Sequence, residues 1–287
     1  GASAHFSKDA MAVDHLVVVN RVKPHTAFHS DVESGLCKML AVGSGKHEGA
    51  KNIHKFGLGA SIVPAAEMIL QQAPVLGGLA LVENSLEQIQ TACLALPAEF
   101  VETDRRLLTH ACQLLPRIPL DDLDILIVDE MGKNISGTGM DTNVIGSWRR
   151  DGGERIPDYR TLVVLDITEK SQGNALGIGM ADLTTRRVVN KIDLNTTCTN
   201  ALTTGIWASA RMPIALENDE TTVLMALSRV RDPSRVRMAR IKNTLKLENL
   251  WITKALLPEL EAKPEIIIDQ NPIPMEFDPK GKILPMS

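Results

Sequence analysis

Histidine and basic side chains are concentrated near the amino terminus of this 287-residue chain. Between Asn20 and His54 the segment contains His25, His29, His47 and His54 itself, out of seven histidines in all. Histidine titrates near neutral pH and is also the commonest metal ligand, so these side chains suit proton transfer as well as metal binding. The composition of this segment therefore predicts that it carries the chemistry of the chain.

The histidine-rich segment directly follows Leu16-Val-Val-Val19, a short aliphatic and β-branched run. Such a run predicts a strand that is buried on both faces of a sheet. Open α/β sheets bind their ligands in loops at the carboxyl ends of their strands. We therefore expect residues 20–54 to form a ligand-binding loop at the end of this strand.

The spacing of Lys38 and His54 is more specific than residue type alone. Residues 34–43 have the pattern Ser-Gly-x-x-Lys-Met-Leu-x-x-Gly, Asn-x-His54 follows, and Pro-His25 lies upstream. This arrangement resembles the nickel-pincer nucleotide-dependent lactate racemase family, in a divergent branch known as lactate-racemase-like domains. Three further segments resemble the same branch, namely residues 19–26, 129–143 and 173–185.

The resemblance implies a nickel-pincer mononucleotide cofactor and suggests which residues bind it. Lys38 would attach covalently to the sulfur-bearing pyridinium nucleotide, His54 would ligate its nickel, and His25 would be one of two acid/base groups. We therefore expect Lys38 and His54 to face one cleft. A glycine-rich Leu-Asp-x-Asn loop of the family lies near cofactor and substrate. The matching residues here, together with a basic residue near the position of a family lysine, are Asp141, Asn143 and Arg149.

The function implied by the resemblance is that of an isomerase, a racemase or epimerase of a 2-hydroxy acid or related polyol acid. A histidine removes the proton of the substrate hydroxyl while the α-hydride moves to the cofactor, and return of the hydride to the other face inverts the carbon. The substrate carboxylate needs a positive anchor, for which the sequence offers Arg149, Lys133 and Arg21. The identity of the substrate and the oligomeric state stay open.

The resemblance also concerns a part of the family that has no counterpart in this chain. Family members carry an additional amino-terminal portion with the second acid/base histidine and with residues that bind the nucleotide phosphate. This chain opens at Gly1-Ala-Ser-Ala4 and reaches its histidines almost at once, which predicts a truncated or processed chain. We expect such a chain to be inactive as a racemase without its missing amino-terminal partner segment. If it were active, His29 or His47 would have to supply the second proton.

Two alternatives come from other functional classes. The chain is a non-catalytic binding or assembly module in the first, and a zinc-dependent hydrolase that uses the same histidines in the second. The sequence contains no compact His-Glu-x-x-His pair, and His25-x-x-x-His29 suits a metal only on a helix, whereas Pro24 favours a loop. Bound nickel with a covalent mass addition on Lys38 would support the racemase. The absence of both would support the binding module, and stoichiometric zinc would support the hydrolase.

Composition excludes several further classes. The chain is 44% hydrophobic and 23% charged with a net charge of −4, which is typical of a globular protein and argues against a nucleic-acid or anionic-membrane surface. Its most apolar stretch, residues 58–82, is interrupted by Glu67 and broken by Pro74, so it is too polar to span a bilayer. The widely spaced cysteines indicate reduced thiols and a cytoplasmic protein.

Alternating apolar runs and helical patterns predict an α/β fold, a layered sandwich in which buried strands alternate with helices. Pro116 and Pro119 mark a boundary between two lobes, residues 1–118 and 119–287. Helices are predicted at 61–73, with Pro64 in the first turn, at 98–115, and from about Asp219 and Lys254. Strands are predicted at 76–82, 124–128, 159–165, 236–241, 250–253 and 265–268.

Two glycine-rich loops admit a functional and a structural interpretation. Residues 137–143 offer backbone amides for a phosphate or carboxylate, or else form a turn with capping residues. Residues 177–185 precede a predicted helix from Arg186, where an anion could bind unless Asp182 or Thr184 caps the helix. The 137–143 loop lacks the dinucleotide fingerprint, and neither it nor Gly43-Ser-Gly45-Lys46 fits the P-loop pattern, which excludes both of those sites.

Overall fold

The chain forms two compact α/β units in a computed structural model that describes residues 3–269 and 271–285. The first unit is Gly1–Leu115 and the second is Pro116–Ser287. Each unit has its own sheet and its own hydrophobic core. The α/β class predicted from the sequence is confirmed, and the two-unit division falls at the first of the two prolines expected to mark a boundary.

The first unit is built around a three-stranded sheet of order β1-β2-β3. Strand β2 runs parallel to β1 and antiparallel to β3. A π-helical turn at Met39–Gly43 lies between α2 and α3. The elements in chain order are α1 Lys8–Met11, β1 Leu16–Arg21, α2 Gly35–Lys38, α3 Lys46–Phe56, α4 Leu58–Leu70, β2 Val75–Glu83, β3 Ile89–Ala95 and α5 Phe100–Leu114.

Strand β1 is an edge strand with one covered face, so the prediction that it is buried on both faces is wrong. Val18 is 4% exposed, whereas Val17 and Val19 are 56% and 51% exposed. The alternation arises because successive side chains of a strand point to opposite faces and the core lies on only one of them. An unbroken aliphatic run therefore does not distinguish a central strand from an edge strand.

The core of the first unit lies between this sheet and helices α2, α4 and α5. Gly78 of β2 is a point of close approach, because a Cβ there would lie 2.8 Å from side-chain atoms of both Leu36 and Phe100. The predicted helix at 61–73 begins earlier, at Leu58, so Pro64 lies inside the helix rather than in its first turn. Strand β3 was not predicted, because its large apolar residues Ile89 and Leu94 are exposed and its inward-facing residues, Thr91, Cys93 and Ala95, are small or polar.

The helical character of the histidine-rich segment is a second correction. Residues 22–34 form the expected loop, but Lys38 ends α2 and His54 lies near the end of α3. The loop prediction rested on the polar residues of this segment and left out its apolar ones. Leu36, Leu40 and Ile53 are fully buried and form the core-facing side of the helical segments. The two candidate cofactor residues are therefore positioned by helices.

The second unit contains a six-stranded sheet of order β7-β6-β5-β4-β8-β9, parallel except for the last pair. Central β4 and β5 are almost wholly buried, as their aliphatic runs predict. The elements are β4 Leu123–Val128, α6 Thr142–Ile145, α7 Trp148–Asp151, β5 Tyr159–Val164, β6 Leu183–Thr185, α8 Arg186–Lys191, α9 Leu194–Thr204, β7 Ile214–Leu216, α10 Asp219–Leu227, β8 Met238–Ile241, β9 Leu250–Ile252 and α11 Leu257–Glu261.

Two local predictions for the second unit are wrong. Residues 265–268 form no strand, and Ile267 is 98% exposed, so this short apolar run has no neighbouring strand to pair with. The cap of the helix at Arg186 is Thr185, whose Oγ1 accepts a hydrogen bond from the Val188 amide at 3.2 Å, and not Asp182 or Thr184.

Within residues 3–269 and 271–285, no helix combines the length and apolarity needed to cross a bilayer.

Candidate functional site

The loop of residues 22–34 joins β1 to α2 and is fixed at both ends by side chains. The Ser34 hydroxyl accepts a hydrogen bond from the Lys23 amide at 2.7 Å and donates to the Lys23 carbonyl at 2.6 Å. The Asn20 amide group donates to the Gly35 carbonyl at 2.8 Å. These contacts close the loop on itself, so its histidines have a defined position relative to α2.

Glu33 lies at the centre of this loop and is only 5% exposed. One carboxylate oxygen, Oε2, accepts a hydrogen bond from the His25 amide at 2.7 Å. The other oxygen, Oε1, accepts from the Ser30 amide at 3.0 Å and lies 3.1 Å from Nδ1 of His29. Glu33 was not among the predicted site residues, although it lies four residues after His29 in the sequence.

Helix α2, which ends at Lys38, is oriented by the buried carboxylate of Asp104 on α5. The two oxygens of Asp104 accept the amides of Leu36 and Cys37 at 2.9 and 2.8 Å. Burial raises the pKa of Asp104 to about 6, and these two amide donors act against that rise. Gly35 has φ +86°, and a Cβ there would lie 2.1 Å from the Asp104 carboxylate, so only glycine fits.

Lys38 is the most perturbed cation of the first unit. Its side chain is half-buried, and its ammonium lies 6.0 Å from the centre of the Phe28 ring. Burial, and then the charge of Lys23, lower the pKa of Lys38 to about 8, while the Glu33 carboxylate acts in the opposite direction. Among the residues that the structure describes, the ammonium makes no hydrogen bond and no salt bridge. A desolvated lysine of this kind is nucleophilic near neutral pH.

His54 responds to the charge of Lys38. Its side chain keeps an exposed part, yet loss of hydration and then the nearby Lys38 ammonium lower the pKa of its imidazole. The structure therefore brings the two candidate cofactor residues within electrostatic range of each other on adjoining helical segments. A neutral imidazole is the form that ligates a metal. A common cleft for the two side chains stays a prediction.

His25 belongs to the same neighbourhood through Phe28. Its ring lies 4.5 Å from the Phe28 ring, and Phe28 is also the ring beneath the Lys38 ammonium. The Ala27 amide donates a hydrogen bond to Nδ1 of His25 at 3.0 Å. One aromatic side chain thus adjoins both the candidate acid/base residue and the candidate cofactor anchor.

The candidate residues of the second unit have structural partners. The Asp141 carboxylate caps α6 by accepting the Asn143 amide at 2.8 Å, and the Asn143 side chain donates to the same oxygen at 3.0 Å. This is the capping interpretation of the glycine-rich loop. A cofactor contact for either residue stays a prediction.

Arg149 is engaged on several sides. Its guanidinium forms a salt bridge with Asp182 at 2.7 Å and donates to the carbonyls of Met180 and Arg160. It also lies 4.9 Å from the Trp148 ring and 5.0 Å from the Tyr159 ring. Side chains so engaged position protein elements, and a role for Arg149 as cofactor or substrate anchor would require it to exchange these partners.

The other two candidate anchors differ in their surroundings. Arg21 forms a salt bridge with Glu83 at 2.8 Å. Lys133 donates to the Gly137 carbonyl, and burial lowers its pKa. Among the described residues, no carboxylate forms a salt bridge with Lys133, in contrast to Arg21 and Arg149.

No compact metal-binding cluster accompanies these residues. Within the described ranges, no group of three or more histidine, cysteine, aspartate or glutamate side chains is arranged to hold a metal ion. A structural or catalytic zinc normally takes at least three protein ligands, so the zinc-hydrolase alternative has no such group in this part of the chain. A scan against protein-family models and searches of curated proteins and solved structures each found no match.

Proposed function

We propose that the chain binds a nickel-pincer nucleotide through Lys38 and His54 and acts as a racemase or epimerase on a 2-hydroxy acid or related polyol acid. The observation that carries the proposal is the half-buried Lys38 ammonium, whose pKa falls to about 8 beside His54. The proposal draws its cofactor from the sequence resemblance and its chemical plausibility from this pair of side chains.

The residues present fit the chemistry that such a cofactor needs. One pH unit below a pKa, roughly a tenth of an amine is unprotonated, so Lys38 has a reactive fraction near neutral pH for forming a covalent bond. His54 has a lowered pKa and is ready to ligate as neutral imidazole. Since the cofactor itself carries sulfur ligands, a single histidine from the protein is enough for its nickel.

The protein's own residues have three tasks in this reaction. When bound, the cofactor supplies the acceptor and donor of the substrate hydride. Lys38 and His54 fix it in place, while a histidine of the 22–34 loop exchanges a proton with the substrate hydroxyl, the role that the resemblance implies for His25. Of the candidate anchors, Arg21 lies in the same unit as these residues, and it would have to leave Glu83 to align an anionic substrate before reaction.

Intact-protein mass spectrometry of the chain made together with the cofactor pathway tests the proposal. We expect a mass addition on Lys38 and bound nickel in the wild type. Lys38→Ala should lose the addition, because a methyl group cannot form the covalent bond. His54→Ala should keep the addition and lose nickel, since the anchor is intact and the ligand is not.

The controls separate this function from its alternatives. Lys51→Ala removes an exposed lysine of α3 and should load like the wild type. If the wild type and Lys38→Ala differ only by the mass of the substitution, Lys38 is not an anchor. Loss of both nickel and addition from the wild type favours the non-catalytic binding or assembly module. Stoichiometric zinc instead favours the hydrolase.

A further inference from the structure

Glu33 connects both loop histidines through one buried carboxylate. His25 is bound through its backbone amide to Oε2 at 2.7 Å, and His29 approaches Oε1 with Nδ1 at 3.1 Å. The Glu33 side chain is 6% exposed, whereas that of His29 is 64% exposed. His29 thus has its inner nitrogen on a buried acceptor and its outer edge toward solvent.

The partner of Nδ1 fixes which nitrogen of His29 carries the proton. A carboxylate oxygen that already accepts the Ser30 amide is an acceptor, so Nδ1 of His29 must donate to it. A neutral imidazole carries one proton, which leaves Nε2 of His29 with its lone pair. The Nδ1 hydrogen bond to the carboxylate orients the ring with Nε2 available, as in histidine–carboxylate pairs of hydrolases.

His25 has the opposite arrangement. A backbone amide can only donate, so Nδ1 of His25, which receives the Ala27 amide at 3.0 Å, is an acceptor. The proton of the neutral His25 ring therefore lies on Nε2. In this state Nε2 of His25 is a donor, whereas Nε2 of His29 is an acceptor.

We infer that His29 and Glu33 form a general-base dyad that takes the proton of the substrate hydroxyl, and that the separate partners of Nδ1 set opposite tautomers in His29 and His25. This inference rests on the proposed function and assigns its proton transfer to a residue that the family resemblance does not mark. His47, the other candidate, is exposed at the start of α3 and has no carboxylate partner among the described residues.

The proposed proton transfer from the substrate hydroxyl to His29 conserves atoms and electrons. The substrate O–H bond breaks, its proton passes to Nε2 of His29, and the bonding pair stays on oxygen. That pair would form the carbonyl as the C–H bond breaks, and the hydrogen would leave with the C–H bonding pair as hydride, for which the cofactor held by Lys38 and His54 would supply the acceptor. The proton returns from the His29 imidazolium to oxygen when the hydride returns to carbon, so His29 ends as it began. Glu33 accepts the Nδ1 hydrogen bond throughout and does not itself become protonated.

The tautomers are measurable without cofactor or substrate. Nitrogen-15 labelling of the histidines of the full chain, with long-range proton–nitrogen correlation at about pH 8, where imidazoles are mostly neutral, reports the protonated nitrogen of each ring. We expect a protonated Nδ1 in His29 and a protonated Nε2 in His25. The same tautomer in both rings, or an unprotonated Nδ1 in His29, would overturn the dyad.

Glu33→Gln tests the cause of the arrangement. We expect His29 to lose its fixed tautomer in this variant, because the amide no longer offers a charged acceptor, while exposed His47 keeps its wild-type signals. If the variant unfolds, His29→Gln provides the second test, since it keeps Glu33 and its two amide contacts. In His29→Gln the His25 tautomer should be unchanged, and a change there would show that the two rings are not set by separate partners.

Turnover decides the catalytic part. With a base inside the 22–34 loop the chain should invert substrate by itself, in contrast to the inactivity that the family resemblance implies. In protein that carries the Lys38 addition, we therefore expect the wild type to invert a racemisable 2-hydroxy acid, His29→Gln to slow the inversion by about 100-fold with loading unchanged, and His47→Gln to match the wild type. A loaded wild type without inversion overturns the base role. Unchanged turnover at full loading overturns the base role of His29. A wild type without the addition is a failure of the proposed function, and the tautomers then decide by themselves whether the dyad exists.

Discussion

Lys191 of the second unit and Lys38 of the first respond to partial burial in opposite ways. In the second unit, burial alone would lower the pKa of Lys191, but hydrogen bonds to Asp166 and Glu169 at 2.9 Å outweigh it, and the pKa rises. In the first unit, burial and Lys23 lower the pKa of Lys38, because Glu33 acts only from a distance. The same side chain is thus stabilised as a cation in one unit and destabilised as a cation in the other.

The arginines of the second unit follow the pattern of Lys191. Arg187 binds Asp166 at 3.0 Å and the fully buried Asp219 at 2.7 Å, and Arg240 forms a two-pronged pair with Asp129 at 2.6 and 3.0 Å. These charges follow the carboxyl ends of parallel strands, the edge at which ligands often bind, yet they satisfy each other. The difference teaches that perturbed but unpaired groups, and not charge density, indicate the candidate site.

Breaking a pair in the second unit should produce the largest effect on stability. Arg187→Met keeps the length of the side chain but leaves the Asp219 carboxylate, at 0% exposure, without its cation. We expect a loss of about 3 kcal/mol in the free energy of unfolding, because an unpaired buried charge is strongly destabilising. Chemical denaturation followed by circular dichroism measures it.

The adjacent arginine is the matched control for that measurement. Arg186 pairs with Glu217 at 3.2 Å, but both side chains are mostly exposed. Arg186→Met should therefore cost less than about 1 kcal/mol. Equal losses for the two variants would show that burial does not determine how much a charged pair of the second unit contributes to stability. The contrast with Lys38 would then lose its basis.

The orientation of α2 gives the next largest effect, and two glycines make a matched pair. Gly35 and Gly57 have φ angles of +86° and +88°, but only Gly35 has a neighbour, the Asp104 carboxylate, in the space of a Cβ. Gly57→Ala should cost about 1 kcal/mol for backbone strain alone, whereas Gly35→Ala should cost at least about 2 kcal/mol. Thermal and chemical unfolding of both variants measure the difference.

That difference also has a functional consequence. Displacing the Asp104 carboxylate removes the two amide contacts that orient α2, so Gly35→Ala should also reduce loading of Lys38 with cofactor, while Gly57→Ala should not. Equal stability of the two variants would mean that Asp104 moves aside freely. In that case α2 is not positioned by Asp104.

Sequence patterns predicted the elements whose neighbours are implied by their own residues. Strands β4 and β5 are continuous apolar runs, and α5 has a regular buried stripe, so each was found close to its observed bounds. Strand β3 was missed because its side chains are largely exposed. The short β6 was read as a glycine-rich loop, since three residues carry too little periodicity to identify a strand.

The candidate site shows the same division. The spacing of Lys38 and His54 indicated that they act together, and the structure places them within electrostatic range. The contribution of Asp104 was not predictable, because it reaches Leu36 from 68 residues away. Burial of Lys38 likewise depends on how α2 packs, which no local pattern contains. The sequence therefore identifies the residue types of a candidate site, whereas the pKa shifts of those residues depend on tertiary contacts that the sequence does not show.

Lys38→Met tests the contrast between the units directly and has the smallest expected effect. The substitution keeps an unbranched side chain and removes a cation that the fold desolvates without pairing. At pH 7, without cofactor, we expect the variant to be more stable than the wild type by about 1–2 kcal/mol, the opposite sign to Arg187→Met. Chemical denaturation across a range of pH measures the difference, and Lys51→Met on the exposed face of α3 is the control.

The pH dependence gives this last prediction its sign. The pKa of Lys38 is about 8 in the folded chain and 10.5 without perturbation, so the folded state releases its proton first. Below pH 8 both states are protonated and the full penalty applies; between pH 8 and 10.5 the unfolded chain binds more protons, and the wild type regains stability. The advantage of Lys38→Met should thus shrink across that window. The contrary result is a Lys38→Met variant that is less stable than the wild type at pH 7, by an amount that stays constant up to pH 10.5. Lys38 would then be stabilised as a cation, like the paired cations of the second unit, and its nucleophilic role would have no physical basis.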